Sequence, residues 1–173
     1  MNETYASPGE QLAEAEDVLQ MVGFMVAGEL FGVDILMVQE IIKNTSVTAI
    51  PDAPEFIEGV INLRGNIIPI IDLRKRLKLT GNKQEQTDET WIIILNISGR
   101  VTGFVVDKVT RVFKLPNDAI KPPPEMVVGG LKSDYISGVC KLERQLLAVL
   151  DFNRILVVEE FKRLSASKRQ RSA

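Results

Sequence analysis

The stretch EGVINLRGNIIPIIDLRKRL, residues 58–77, decides how this chain is read. Two runs rich in Ile and Val flank Asn62-Leu63-Arg64-Gly65-Asn66. Short β-branched runs broken by Gly or Asn are the pattern of strands joined by a tight turn. A two-residue hairpin loop needs positive backbone φ, which Gly65-Asn66 can supply. Pro69 has no N–H for a ladder bond, so the second run is expected at a sheet edge or a bulge. Arg64 is left at the tip, where a planar guanidinium suits a bidentate contact with a carboxylate. It serves there either as a solvated turn residue or as a contact to a partner.

Working outward, similar runs predict ten strands, near 22–28, 30–33, 38–43, 59–64, 67–72, 91–97, 101–107, 109–115, 136–142 and 145–151. They repeat. Phe56-Ile57-Glu58-Gly59-Val60 matches Tyr135-Ile136-Ser137-Gly138-Val139, and at the same offset Leu63, Asp72 and Leu77 match Leu142, Asp151 and Leu156. An earlier pair, Val33-Asp34, matches Val106-Asp107. Two copies of about five strands each predict an all-β protein of two related small barrels. The expected division is a flexible acidic extension over 1–20, a first barrel over 21–80 and a polar junction over 81–89. A second barrel over 90–151, a helix over 152–164 and a basic tail over 165–173 complete it. Asp34, Asp72, Asp107 and Asp151 each end a strand, one symmetric pair per copy, and three lead into plausible helical turns. Strand-end and N-cap duty accounts for them better than a carboxylate active site does. The second copy turns through Leu142-Glu143-Arg144-Gln145 without a glycine, so only the first copy carries the sharp arginine–glycine tip.

Composition narrows the chemistry. The 173 residues contain no histidine and one cysteine, Cys140, which removes Ser-His, Cys-His and zinc sites. No cofactor or metal is expected. One Trp and two Tyr offer little for sugar stacking beside a carboxylate dyad. A net charge of −2 provides no overall field for nucleic acid. Charge is uneven, however. Residues 1–20 hold five acids and no Lys or Arg, and residues 162–173 hold five bases and no acid. The first twenty residues lack a basic start and an apolar centre, and no apolar run approaches the length of a bilayer span.

These residues also resemble the CheW-type chemotaxis coupling proteins. The resemblance is carried by Phe31-Gly32-Val33-Asp34-Ile35 with Val38-Gln39-Glu40-Ile41, by Ile50-Pro51, and by Phe56-Ile57-Glu58-Gly59-Val60. It continues through Asn62-Leu63-Arg64-Gly65, Ile67-Ile68-Pro69-Ile70-Ile71-Asp72-Leu73 and Gly103-Phe104-Val105-Val106-Asp107-Lys108-Val109, covering about residues 21 to 160. It implies two five-stranded, SH3-like barrels packed on each other. It also implies a non-catalytic, cytoplasmic adaptor between the tips of methyl-accepting chemoreceptors and the regulatory domain of a CheA-type histidine kinase. Carried over position by position, it implies a receptor-facing set of Arg64, Glu40, Asn62, Gly65, Val38, Gly59 and Val112. For the kinase it suggests Leu36. Two of these have ready structural explanations: valine in a strand is usually core, and Gly59 recurs as Gly138.

Other readings compete with this one. An excised regulatory domain of a CheA-type kinase would share the fold, although Met1, the compact length and the missing phosphotransfer histidine favour a stand-alone adaptor. A nucleic-acid-binding barrel pair would use Arg74-Lys75-Arg76-Lys78 and the basic tail, but stacking aromatics are scarce. A carboxylate enzyme would require a deep polar pocket.

Overall fold

The computed structural model describes residues 18–79, 89–123 and 133–156. Ten strands form: β1 (Val18–Val26), β2 (Glu29–Asp34), β3 (Val38–Lys43), β4 (Ile57–Leu63), β5 (Asn66–Asp72), β6 (Trp91–Ile97), β7 (Arg100–Val106), β8 (Lys108–Pro116), β9 (Ile136–Lys141) and β10 (Leu146–Leu150). All ten expected strands are present. The largest boundary change is at β1, which begins at Val18, so residues 18–20 belong to a strand rather than to a flexible extension. Short helices α1 (Leu73–Arg76) and α2 (Phe152–Ile155) follow β5 and β10.

The chain forms two SH3-like five-stranded barrels, but they are not consecutive in sequence. Barrel one has the strand order β8-β1-β2-β10-β9, and barrel two has β3-β6-β7-β5-β4. Each barrel therefore takes the first two strands of one repeat and the last three of the other. The expected division at 21–80 and 90–151 is corrected accordingly: it marks the repeats, whereas the barrels are exchanged between them. The exchange happens at the β2–β3 and β7–β8 connections, where the chain leaves one sheet and enters the other. Both barrels close alike. Thr48, beyond β3, bridges Val60 on β4, and Lys121, beyond β8, bridges Val139 on β9.

Because alternate residues of a strand face opposite ways, one strand can serve two cores, as Ile70 and Ile71 of β5 do. Met21, Leu30, Phe113, Leu115, Cys140, Leu147 and Val149 fill barrel one. Ile61, Ile68, Ile70, Ile92 and Ile94 fill barrel two. A larger core between the barrels unites Phe24, Phe31 and Val33 of barrel one with Ile93, Leu95 and Phe104 of barrel two. The near-continuous apolar runs of β5 and β6 follow from this burial on both faces.

Asp72 and Asp151 cap α1 and α2 by accepting the Lys75 and Arg154 backbone N–H, as expected. Asp34 accepts the Leu36 N–H at the start of a 3-10 turn. The fourth, Asp107, starts no helix. One carboxylate oxygen accepts both the Ala27 N–H of barrel one and the Arg74 guanidinium of α1, at 2.8 Å each. Beyond residue 156, the expected continuation of the C-terminal helix to 164 and the basic tail lie outside the described residues, as do residues 1–17 and most of the polar junction.

Candidate functional site

The β4–β5 hairpin projects from barrel two. Leu63 pairs with Asn66, and the two loop residues are Arg64 (φ 52) and Gly65 (φ 88). Both lie in the left-handed region, the signature of a type I′ turn. The loop thus sits one residue earlier than Gly65-Asn66, and the arginine itself carries a positive φ. Asn62 offsets that cost by accepting the Gly65 N–H through its side-chain oxygen at 2.9 Å. Pro69 lies inside the sheet and not at its edge. It is accommodated because β5 pairs with β7 only from Ile70 to Asp72, so no partner on that side needs the missing N–H.

Arg64 is 76% exposed, and its guanidinium donates to the Glu40 carboxylate at 2.9 Å. Glu40 stands on β3, an edge strand of the same sheet. Two residues separated by 24 positions, and expected to face one partner, are thereby brought into contact. They border a groove of about 370 Å³ that also includes Gln39, Leu63, Ile67 and Val101. Ile67 is 58% exposed there, and period-two alternation with buried Ile68 is the signal that could have found it. The groove joins a fixed but accessible charge pair to an exposed aliphatic side chain. Its lining offers directional charge and apolar contact, and it contains no nucleophile and general-base pair.

The remaining candidates lie elsewhere. Val38 is half-buried against the inter-barrel core, two residues before Glu40. Gly59 is buried, and a Cβ there would collide with the Thr48 carbonyl that closes the barrel. Val112 is 44% exposed on β8 of the other barrel, paired with Val22. Leu36 is 90% exposed on the turn where the chain crosses between barrels. An additional inter-barrel groove of about 700 Å³ is lined by Ile41, Trp91 and Val109 together with Glu89, Asp107 and Lys108. No group of acidic or cysteine side chains suited to a metal occurs among the described residues.

Comparison with known proteins agrees with this architecture. The family model for the CheW-like domain matches residues 20–160. The chain is 36% identical over 156 residues to a chemotaxis protein CheW of Treponema pallidum, covering 89% of this chain and 91% of that one. With a CheW of Klebsiella aerogenes it shares 42% over 137 residues, 79% of this chain and 81% of the relative. The crystal structure of the scaffolding protein TtCheW from Thermoanaerobacter tengcongensis superposes with a TM-score of 0.74 at 37% identity, over 82% of this chain and 90% of that one. The intertwined barrels, the arginine–glycine hairpin and these matches together place the chain in the CheW-like domain family.

Proposed function

We propose that this protein is a non-catalytic scaffold that couples methyl-accepting chemoreceptors to a CheA-type histidine kinase. The observation that carries this reading is the Arg64–Glu40 pair, held at an accessible hairpin tip beside exposed Ile67 in a chain of the CheW-like family. A receptor tip offering a carboxylate and an apolar ridge fits such a groove. The guanidinium supplies directional hydrogen bonds, and the aliphatic rim excludes water around them. Asn62 and Gly65 act by fixing the turn that presents Arg64, and Val38 supports β3 beneath Glu40. Gly59 maintains the closure of the barrel behind the hairpin. Exposed Leu36 serves the kinase regulatory domain, with Val112 offering a further apolar contact on barrel one.

Coupling then means that receptor and kinase interfaces lie on one rigid body, so that occupancy at one biases the other through a free-energy linkage. No helix among the described residues is long and apolar enough to cross a membrane. The protein works in the cytoplasm and reaches membrane arrays through its receptor partner.

The test is reconstitution of kinase activity with receptor, in the presence and absence of this protein. Enhanced, receptor-dependent kinase activity is expected. No change in activity together with no ternary complex would remove the assignment. Arg64→Asp is expected to weaken receptor capture while leaving kinase binding and the fold intact; equal capture by mutant and wild type would remove the arginine from the receptor face.

A further inference from the structure

The β9–β10 hairpin, residues 142–145, borders a groove of about 720 Å³ on barrel one. Its place corresponds to that of the Arg64 groove on barrel two. Leu142 and Glu143 match Leu63 and Arg64 at the offset that relates the two hairpins. The edge strands correspond through their register. Phe31 and Phe104 are equivalent, sharing the offset of Val33 and Val106, and they pair with Phe24 and Ile93. The residues that follow, Met25 and Ile94, face Lys108 on β8 and Glu40 on β3. Lys108 therefore stands where barrel two has Glu40, and Glu143 stands where it has Arg64. The same two places carry charges of exchanged sign, but no ion pair joins Lys108 to Glu143. Arg111 and Arg144 also line the groove, which sets three cations against one carboxylate. All three cations are exposed, and none is ion-paired among the described residues.

We propose that this groove binds a short acidic segment of a partner protein, with an apolar side chain seated between carboxylates. Leu30, Phe113 and Leu142 form the apolar floor. Arg111 and Phe113 lie two apart on β8, and the Arg111 guanidinium carbon sits 4.4 Å from the centre of the Phe113 ring. A guanidinium laid over a ring keeps its N–H edge free for a planar acceptor, and its orientation is already fixed before a ligand arrives. Arg144 and Lys108 add charge from the hairpin and from the start of β8. Neutralisation from the adjoining strand does not occur, because β1 (VLQMVGFMV) has no charged residue. Groove volumes of about 300–1,000 Å³ suit ligands of a few side chains, so the occupant is a linear segment and not a folded face. A phosphate polymer fits less well. It has no aliphatic group for the floor, it meets the Glu143 carboxylate, and the Phe113 ring that could stack a base is buried beneath Arg111. The two equivalent grooves thus differ in kind. On barrel two the hairpin arginine is met by the chain's own Glu40, whereas on barrel one the acid must come from outside. This assignment concerns the other barrel and does not rest on the receptor face at Arg64.

The test titrates the isotope-labelled full chain with an end-blocked peptide, Glu-Glu-Leu-Glu-Leu-Glu, and follows backbone amide shifts. Saturable shifts at residues 108–113 and 142–145, with residues 39–40 and 63–67 unmoved, are expected. The peptide with every Glu replaced by Gln, and the peptide with every Leu replaced by Ser, should both bind more weakly. Arg111→Gln and Arg144→Gln should each weaken the acidic peptide by about fivefold, and high salt should weaken it further. Arg144 is exposed on the hairpin, so its variant decides the matter if Arg111→Gln disturbs Phe113. Shifts that fail to saturate or that centre on residues 63–67 would overturn the proposal, as would equal binding of the Gln peptide. Tripolyphosphate, a thymidine oligonucleotide or vesicles of anionic lipid binding the same residues more tightly than the peptide would also overturn it, by assigning the groove to phosphate.

Discussion

Arg76 donates its Nε hydrogen to the Ile155 carbonyl at 2.9 Å, and these two residues occupy equivalent places in the two repeats, 79 positions apart. The relation extends around them. The Arg76 guanidinium lies 5.0 Å from the ring of Phe56 and 5.1 Å from that of Tyr135, another equivalent pair, and donates to the Tyr135 hydroxyl at 3.1 Å. Phe56 and Tyr135 in turn accept the N–H of Asp72 and Asp151, the two helix caps, through their backbone carbonyls. Where the copies meet on their shared axis, one supplies an arginine and the other an isoleucine carbonyl. The contact is asymmetric by chemistry and links α1 of one repeat to α2 of the other.

Arg76→Met should therefore destabilise the whole molecule. Arg76 is only 8% exposed, so its loss leaves the buried Ile155 carbonyl and the partly buried Tyr135 hydroxyl without its hydrogen bonds and empties the space between two rings. A cost of about 2–4 kcal/mol is expected from the lost donors and cation–π contacts. Arg76→Lys should recover less than half, because an ammonium cannot stack flat between two rings while donating in the guanidinium geometry. Urea denaturation of the three proteins reads this directly. A loss below about 1 kcal/mol for Arg76→Met would show that the contact is incidental.

The two glycines of the hairpin region should separate cleanly. At Gly59, φ is +146 and a Cβ would collide with the Thr48 carbonyl, so Gly59→Ala is expected to cost more than about 3 kcal/mol by forcing the barrel closure apart. At Gly65, φ is +88 but nothing lies within 4 Å of an added Cβ. Gly65→Ala then incurs the left-handed backbone penalty alone, about 1–2 kcal/mol. Thermal unfolding monitored by far-UV dichroism distinguishes the two. Equal losses would mean that the collision at Gly59 is relieved by movement of residues 47–48.

Why the strands were legible and their assembly was not follows from these residues. Ile57-Glu58-Gly59 and Ile136-Ser137-Gly138 announce equivalent strands because the same closure is made twice and each needs a small residue against a crossing backbone. The apolar pattern of β2 says that Phe31 and Val33 are buried, but not whether their sheet continues into the following strand of the same repeat or of the other. Both pairings satisfy the same periodicity, and only three-dimensional closure through Thr48 and Lys121 chooses. Pro69 misled for a related reason, since an internal strand paired along half its length tolerates proline as well as an edge strand does. At the hairpin, Asn62, Arg64 and Gly65 could be placed by turn chemistry. Glu40 could be assigned only through resemblance, because nothing local in β3 indicates the guanidinium it meets.

Asp72 gives the fold a specific acid-side pH dependence. Burial raises its carboxyl above the ordinary carboxylate value, with the nearby Glu58 carboxylate adding to the rise and the Lys75 backbone N–H working against it. The folded protein then holds this proton more tightly than the unfolded chain. Between the ordinary value of 3.8 and the raised one, the folded state binds more protons, so stability falls as pH increases through that window. Above the window the cost of burying the charge is constant. Asp72→Asn keeps an oxygen to accept the Lys75 N–H and removes that charge. It should leave the protein equally or more stable at neutral pH and flatten the decline that begins above the ordinary carboxylate value of 3.8. Denaturation midpoints across that range test both parts; a marked loss of stability at neutral pH would show that the ionised cap outweighs the burial cost.

Finally, the Arg64–Glu40 pair should contribute little to folding and much to recognition. Arg64 is largely exposed, and exposed ion pairs measured by double-mutant cycles contribute about 0.2–1 kcal/mol. Arg64→Ala and Glu40→Ala should each lower unfolding free energy by less than about 1 kcal/mol. Receptor affinity is expected to respond more strongly, because Glu40 fixes the direction in which an otherwise mobile guanidinium points. If Glu40 acts by orienting Arg64, removing it after the arginine is gone should have little further effect. The double mutant should then bind receptor about as weakly as Arg64→Ala alone, a non-additive cycle. Additive losses would instead mean that the two side chains make separate contacts with the receptor, and that their ion pair in the free protein is broken when the receptor binds.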